Sequence, residues 1–319
     1  MTDTVIPAVE EILYHKDPKT KIATITLNRP TRLNAVTIAG RHRYAELIRR
    51  ANIDDDVKVL VIRGAGEDLG SGADLPDFMS DFGTESAWDR EHGLEGEDVT
   101  YPPADSYRTA GVTTQWFTNP AGGCRSLQEF KKISILEVKG YCYGWHFYQA
   151  ADADLVISSD DALFGHSAFR YSGTAPRMWQ WALTMGLRKF QEMLFTGRPF
   201  TADEMNDCGF LNSVVPRDQL EAETAKYALA CARNRPSDVV YLQKVFLEIF
   251  KQNQGEYMGS ILTGLLESVA SGPLAKQDGD EQVVNEELFE KGLTNSVKDF
   301  DNRFPPEWRL SRRGRRQAD

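Results

Sequence analysis

A chain of 319 residues, 41% hydrophobic and 26% charged, is long enough for one large core with an appendage and is not the composition of a disordered polymer. A formal net charge of −10 excludes a general nucleic-acid surface, and the single basic run, Arg309 and Arg312 to Arg316, reads as a frayed, solvated tail. Cys124, Cys142, Cys208 and Cys231 show neither CxxC pairing nor zinc-ligand spacing, no apolar run approaches ~18 residues and no basic n-region precedes an apolar stretch; we expect a cytoplasmic protein with reduced thiols, no metal and no membrane span.

In chain order, residues 11–28 read as a hairpin, EEILYH and KIATITLN around the turn DPKT, with alternating polarity along the second strand. A helix is predicted from about Ile38 to Ala51, where Tyr44, Leu47 and Ile48 recur at helical spacing, and is followed by the continuously apolar strand VKVLVIRG. The stretch 76–125 mixes Gly, Pro, acidic clusters and scattered aromatics such as Phe78, Phe82, Trp88, Tyr101 and Trp116 without a sustained period, and is expected to be an excursion from the core. Strand ISILEVKG, the turn and helix YCYGWHFYQAADA and strand DLVISS then form a βαβ crossover. Beyond Arg177 helices dominate, with Thr201 and Glu204 at capping-box spacing. SGPLAKQDGDEQ reads as a linker before a terminal helix stopped by Pro305 and Pro306. The organisation expected is an α/β core over 1–200 carrying the 76–125 insertion, and a helical region over 201–319.

Two glycine-containing turns, each after a buried strand, are the candidate chemistry: Gly70-Ser71-Gly72-Ala73-Asp74-Leu75 and Gly140-Tyr141-Cys142-Tyr143-Gly144-Trp145-His146. Backbone N–H groups freed at such turns can converge on a developing negative charge. Either turn alone is equally explained by a glycine that permits a tight bend.

Taken together and in this order, NRPTRLNAVT (28–37), the GSGADL turn, VKGYCYGWHFYQAADADLVISSDDALFG (138–165) and FTGRPFTADEMNDCGFLNSVVP (195–216) resemble the landmarks of the crotonase (enoyl-CoA hydratase/isomerase) superfamily. The resemblance implies repeated ββα units, a helical C-terminal region that mediates trimers or dimers of trimers, and an acyl-CoA substrate, with coenzyme A arriving as part of the substrate and no separate cofactor. It implies an oxyanion hole from the N–H groups of Ala73, after Gly72, and Trp145, after Gly144. It also places Arg32, Leu33, Asn34 and Ala35 along the nucleotide part of CoA, with Asp74 and Leu75 by the same channel. For Arg32 a solvated surface charge is the plain alternative.

Where hydratases of this superfamily hold water between two glutamates, this chain has Tyr148 and Ala168, and where other branches carry a later acid it has Pro176. No Asp or Glu occurs between Ala162 and Phe190. The same segment offers His146, Tyr148, His166, Arg170 and Tyr171, and an imidazole with an ordinary pKa near ~6.5 can serve as acid or base. Tyr148 or Tyr143 can donate to an enolate instead, and each of these residues can equally be a buried hydrogen-bonding group. Three functions follow: an acyl-CoA hydratase, isomerase or lyase with non-standard acid–base residues; a hydrolase of C–C bonds in cyclic β-diketones that uses His146, as one branch of the family does; or a non-catalytic acyl-CoA-binding subunit.

Overall fold

The computed structural model describes residues 8–75, 77, 100, 102, 106–171, 173–270 and 298–316. The hairpin is present as β1 (Ile12–Asp17) and β2 (Ile22–Leu27), paired antiparallel with Ile12 opposite Leu27. Every second residue of β2 is buried, as its alternation requires. The continuously apolar β3 (Val59–Gly64) lies between β2 and β4 (Ile133–Val138), where both faces of a strand are covered. With β6 (Leu155–Ser159) and β9 (Ser213–Val215) they form a sheet in the order β1-β2-β3-β4-β6-β9, parallel apart from the hairpin.

A second, smaller sheet contains β5 (Tyr141–Tyr143), β7 (Leu163–Gly165) and β8 (Phe200–Thr201) in the order β5-β7-β8. Isolated bridges from Gly70 to Cys142 and from Val36 to Ala73 attach the first glycine turn to this layer. After β3, β4 and β6 the chain makes a short return along the small sheet, at Gly70, β5 and β7, which is the repeated ββα arrangement. Helix α1 (Ile38–Ile53), capped by Thr37, buries Tyr44, Leu47, Ile48 and Ala51 in the main core. On the other face of the large sheet Val59, Val61, Ile135 and Ile157 pack on Leu220 and Ala228.

Within the stretch expected to be an excursion from the core lies a helix, α2 (Tyr107–Thr118), begun by the Ser106 cap. Its apolar side chains find a partner 140 or more residues away, which is why local periodicity did not reveal it. The helices that follow are α3 (Trp145–Asp152), α4 (Met178–Met185), α5 (Leu187–Thr196), α6 (Ala202–Asp207) with the expected capping box, α7 (Leu220–Asn234), α8 (Ser237–Asn253) and α9 (Glu256–Ala270).

Helix α9 returns across the core. Gly264 lies against Thr114, Phe117 and Thr118 of α2, and a Cβ on Gly259 would fall 2.1 Å from the indole of Trp179 in α4. A buried charge cluster pins its first turn: Glu256 binds Arg125 at 2.8 Å and Arg177 at 3.3 Å, and Arg177 also binds Asp152 at the end of α3. All four side chains are almost fully buried, so removing Arg177 leaves Asp152 without its cation and costs ~3–5 kcal/mol.

The basic C-terminal run is not a frayed tail. Leu310 packs on Tyr143 and Leu163, the Tyr143 hydroxyl donates to the Leu310 carbonyl at 2.8 Å, Arg312 pairs with Asp68, and Arg170 pairs with Asp301. Arg312 has its acidic partner far away in the sequence, invisible to a reading of the run by itself, while Arg309 and Arg315 bond carbonyls of the segment. Phe78, Phe82, Trp88 and Tyr101, the linker and most of the terminal helix lie outside the described residues; residues 298–301 are helical.

Candidate active site

The first glycine turn leaves β3 and is laced to its neighbours almost amide by amide. Leu69 N–H bonds the Lys139 carbonyl at 2.7 Å, Gly70 N–H that of Tyr141 at 2.7 Å, and Ser71 N–H that of Leu33 at 2.9 Å. Gly72 N–H donates to His146 Nδ1 at 3.0 Å, and Asp74 N–H to the Val36 carbonyl at 2.8 Å. Between Leu69 and Asp74, only the N–H of Ala73 has no partner among the described residues. In the second turn Gly144 N–H bonds the Gly165 carbonyl at 3.0 Å, while the N–H of Trp145, first residue of α3, is likewise without a partner among the described residues.

The residues preceding these two amides touch. A Cβ on Gly144 would lie 3.2 Å from Gly72 Cα, and one on Gly72 would lie 3.5 Å from Gly144 Cα. Gly72 at φ +113° and Gly144 at φ +56°, ψ −119° hold backbone conformations that side chains disfavour, so both glycines are needed for shape as well as closeness. A helix N-terminus beside a second freed amide is the geometry that stabilises an oxyanion. Trp145 does not crowd it. Its indole turns into the core, donating from Nε1 to the Gly123 carbonyl at 3.0 Å and meeting Tyr44 edge-on.

His146 is placed behind the first turn. It is 1% exposed, its Nδ1 accepts from Gly72, and its Nε2 faces Gly70 so closely that a Cβ there would fall 2.1 Å away. Burial, opposed by the Tyr143 carbonyl, pulls its pKa down to about 3, so the ring is neutral. Accepting at Nδ1 puts the hydrogen of the neutral ring on Nε2, inside the protein. This arrangement holds the turn that presents Ala73; it leaves His146 no basic nitrogen to offer a substrate.

Tyr148, one turn along α3, pairs with His166: Oη and Nε2 are 2.8 Å apart and the rings stack at 5.2 Å. His166 Nδ1 accepts from Ala168 N–H at 3.1 Å, so the neutral ring carries its hydrogen on Nε2 and donates it to the Tyr148 oxygen. The phenol hydrogen is thereby turned to other acceptors. Burial lowers the His166 pKa to about 3 and raises that of Tyr148 well above 10. His166 keeps part of its surface open, and Nε2 sits 4.0 Å from a Cβ built on Gly144, beside the second amide.

The remaining candidates divide. Arg32, Leu33 and Leu75 are exposed along the edge of the first turn, and Ala35 is half-buried there. Asn34 is buried and bonds the Ala65 and Asp68 carbonyls, a scaffold for the turn. Asp74 is bound at 2.7 Å by Arg29, which also holds the Ala35 carbonyl, an organising residue that sequence reading missed. Asp77 bonds the first N–H of α1 at 2.9 Å. Tyr143 and Arg170 face the C-terminal segment rather than the turns, because Leu310 and Asp301 occupy them. The Tyr171 side chain lies outside the described residues. Sequence reading also missed Glu267 of α9, whose Oε2 accepts from Thr174 Oγ1 at 2.6 Å; nothing local marks it, since only the return of α9 brings it there.

This combination of a two-layer ββα core and two adjoining glycine turns is that of the crotonase fold. The sequence profile of the enoyl-CoA hydratase/isomerase family matches residues 110–272, and the chain belongs to that family. It is 26% identical over 300 residues to mevalonyl-coenzyme A hydratase of Aspergillus fumigatus, covering 92% of this chain and 94% of that protein. Hydroxycinnamoyl-CoA hydratase-lyase of Pseudomonas fluorescens is 25% identical over 67% of this chain and 71% of its own length. Among solved structures, a probable enoyl-CoA hydratase of Mycobacterium thermoresistibile superposes with a TM-score of 0.66 at 27% identity, covering 81% of this chain and 94% of that one. An enoyl-CoA hydratase/isomerase from Xanthobacter autotrophicus Py2, 24% identical, shares the fold at a TM-score of 0.73 over 92% of this chain and 98% of its own.

Proposed function

We propose that the chain acts on an acyl-CoA thioester by stabilising the enolate formed when C2 of the acyl group loses a proton or C3 gains a nucleophile, with the N–H groups of Ala73 and Trp145 bonding the thioester oxygen. The observation that carries this reading is the pair of amides, each following one of two touching glycines, that have no partner among the described residues, one of them the only such N–H between Leu69 and Asp74 there. Tyr148, its oxygen held by His166, whose Nε2 lies 4.0 Å from a Cβ built on Gly144, is the hydrogen-bond donor that the reading puts beside the second amide. The relatives are named as hydratases, an isomerase and a hydratase-lyase; an acyl-CoA can undergo each of those reactions through an enolate, so enolate chemistry is the reaction class the reading claims. Hydrolysis of a cyclic β-diketone by His146 has less support, because that ring is walled in and accepts from Gly72.

Titration with a 3-oxoacyl-CoA tests the reading, since its enolate absorbs in the near ultraviolet. Binding is expected to generate the enolate band in the native protein and not in Ala73→Pro, which lacks one donor while keeping the Val36 and Asp74 hydrogen bonds around it. A native protein that binds the thioester with no band contradicts it. The exposed apolar face of α8 and α9, with Phe246 at 65% and Met258 at 69%, supports a trimer or a dimer of trimers in solution, which light scattering measures.

A further inference from the structure

We propose that Glu267, brought by α9 to the loop that carries Thr174 and Pro176, is the carboxyl group that takes and returns the proton at C2 of the acyl chain. The inference rests on the enolate reading above and names the acid–base group for it. The chain lacks an acid at Tyr148, Ala168 and Pro176, and has none between Ala162 and Phe190, so a carboxylate must come from elsewhere in the fold.

Helix α9 is the element that delivers one. Its first turn is locked to α3 and the Arg177 segment by the Glu256–Arg177–Asp152 ion pairs. Two turns on, the Thr263 hydroxyl bonds the Pro176 carbonyl. One turn further on the same face, Glu267 takes the Thr174 hydroxyl at 2.6 Å. Gly264, three residues before Glu267 and so beside it on the helix surface, packs on α2. The carboxyl therefore stands two residues from the position at which other branches place their acid.

Two neighbouring carboxylates, Glu256 and Asp152, sit in buried ion pairs. Glu256, between two arginines, is held at a pKa of about 2, and Asp152 is bound to Arg177. Burial instead raises Glu267 to about 7, with the Thr174 hydrogen bond opposing the rise, so both protonation states are populated near neutral pH. Its charge acts on Tyr148, which also feels Cys124, Arg41 and Arg177 and contacts His166. Arg177, on the same loop, is turned to Asp152 and Glu256; from α2 the side chains against Gly264 are Thr114, Phe117 and Thr118, none of which titrates.

The step balances within the site. The Glu267 carboxylate removes the C2 proton, the C–H electron pair becomes the enolate held by Ala73 and Trp145, and the same carboxyl returns a proton to C2 or to the next reactive carbon. In deuterated water this exchanges hydrogen at C2.

The test follows C2 exchange of a saturated acyl-CoA by mass spectrometry across pH 5–9, together with the enolate band of a bound 3-oxoacyl-CoA. Glu267→Gln is expected to lower exchange by ~10²–10⁴-fold while the band persists, and Glu267→Asp to restore part of the rate. Thr174→Val removes the bond that favours the charged form and is expected to move the rising limb near pH 7 to higher pH. Exchange within threefold of native in Glu267→Gln, or a limb unmoved in Thr174→Val, overturns the assignment. Absence of the band in the native protein defeats the enolate reading itself, and the assignment with it; a native band beside unchanged Glu267→Gln exchange defeats the assignment alone.

Discussion

Replacing Gly70 by alanine adds one methyl group beneath the first glycine turn. That methyl would sit 2.1 Å from His146 Nε2, 2.3 Å from Cε1 and 2.5 Å from Cδ2. Carbon contacts settle near ~3.5 Å, so the ring must move by about 1 Å or more. On its far edge Nδ1 is bonded to Gly72 N–H at 3.0 Å, and Trp145 stands edge-on at 5.1 Å. Gly70 is not among the positive-φ glycines, so the strain is one of packing and not of backbone conformation. Overpacking of this kind costs ~1–3 kcal/mol, and displacing the Gly72–Ala73 peptide should lower turnover by up to ~10²–10³-fold, the weight of one oxyanion donor.

The assay is a double-mutant cycle on thermal stability and C2 exchange. His146→Ala empties the space the methyl needs, at the cost of leaving Gly72 N–H buried without its acceptor, about 1–3 kcal/mol. Gly70→Ala/His146→Ala is therefore expected to be less impaired than the two single effects added together. Strict additivity, or loss in His146→Ala of an ionisation from the pH–rate profile between about pH 5 and 9, would refute the view of His146 as a neutral support for the turn.

Arg177→Met is expected to destabilise the protein by ~3–5 kcal/mol in chemical unfolding, because Asp152 and Glu256 lose their shared cation. His146 lowers native stability as the pH drops below 6.5, because the unfolded chain protonates the ring while the folded one, with a pKa of about 3, does not, a loss of about 1.4 kcal/mol per pH unit across that window; His166, also held at about 3, adds an equal loss and Glu267, raised to about 7, opposes it. Urea midpoints measured from pH 7 to pH 4 check this, and His146→Ala should flatten the slope. Tyr143→Phe, which removes the bond to Leu310, is expected to speed proteolysis at Arg312–Arg316 while leaving the acyl-CoA enolate band in place.

Strands β1 to β4 and β6, α1, the capping box at Thr201 and both glycine turns were legible because each has a local cause: alternation, helical spacing, a cap or a glycine beside a buried strand; the two- and three-residue strands β5, β7, β8 and β9 are too short to carry such a period. The contact between Gly72 and Gly144 was available only through family resemblance, since no local pattern measures a distance across 72 residues. The side on which His146 stands was not legible at all. A histidine at the second position of a helix can face a cavity or a neighbouring turn, and only the missing Cβ of Gly70 decides it. Helix α2 and the docked Arg312 were missed for a related reason, as their stabilising partners, α9 and Asp68, lie far along the chain. Glu267 belongs with them: an unremarkable glutamate on an amphipathic helix until α9 is folded back on Thr174.

The most direct measurement is the rate at which the protein exchanges the C2 hydrogens of a saturated acyl-CoA in deuterated water, native against Ala73→Pro, at equal thermal stability and equal thioester occupancy. Two convergent amides predict exchange well above the solvent background in the native protein and a loss of ~10²–10³-fold in the variant. Native exchange at background across acyl chain lengths, or equal rates in the two proteins, would contradict it.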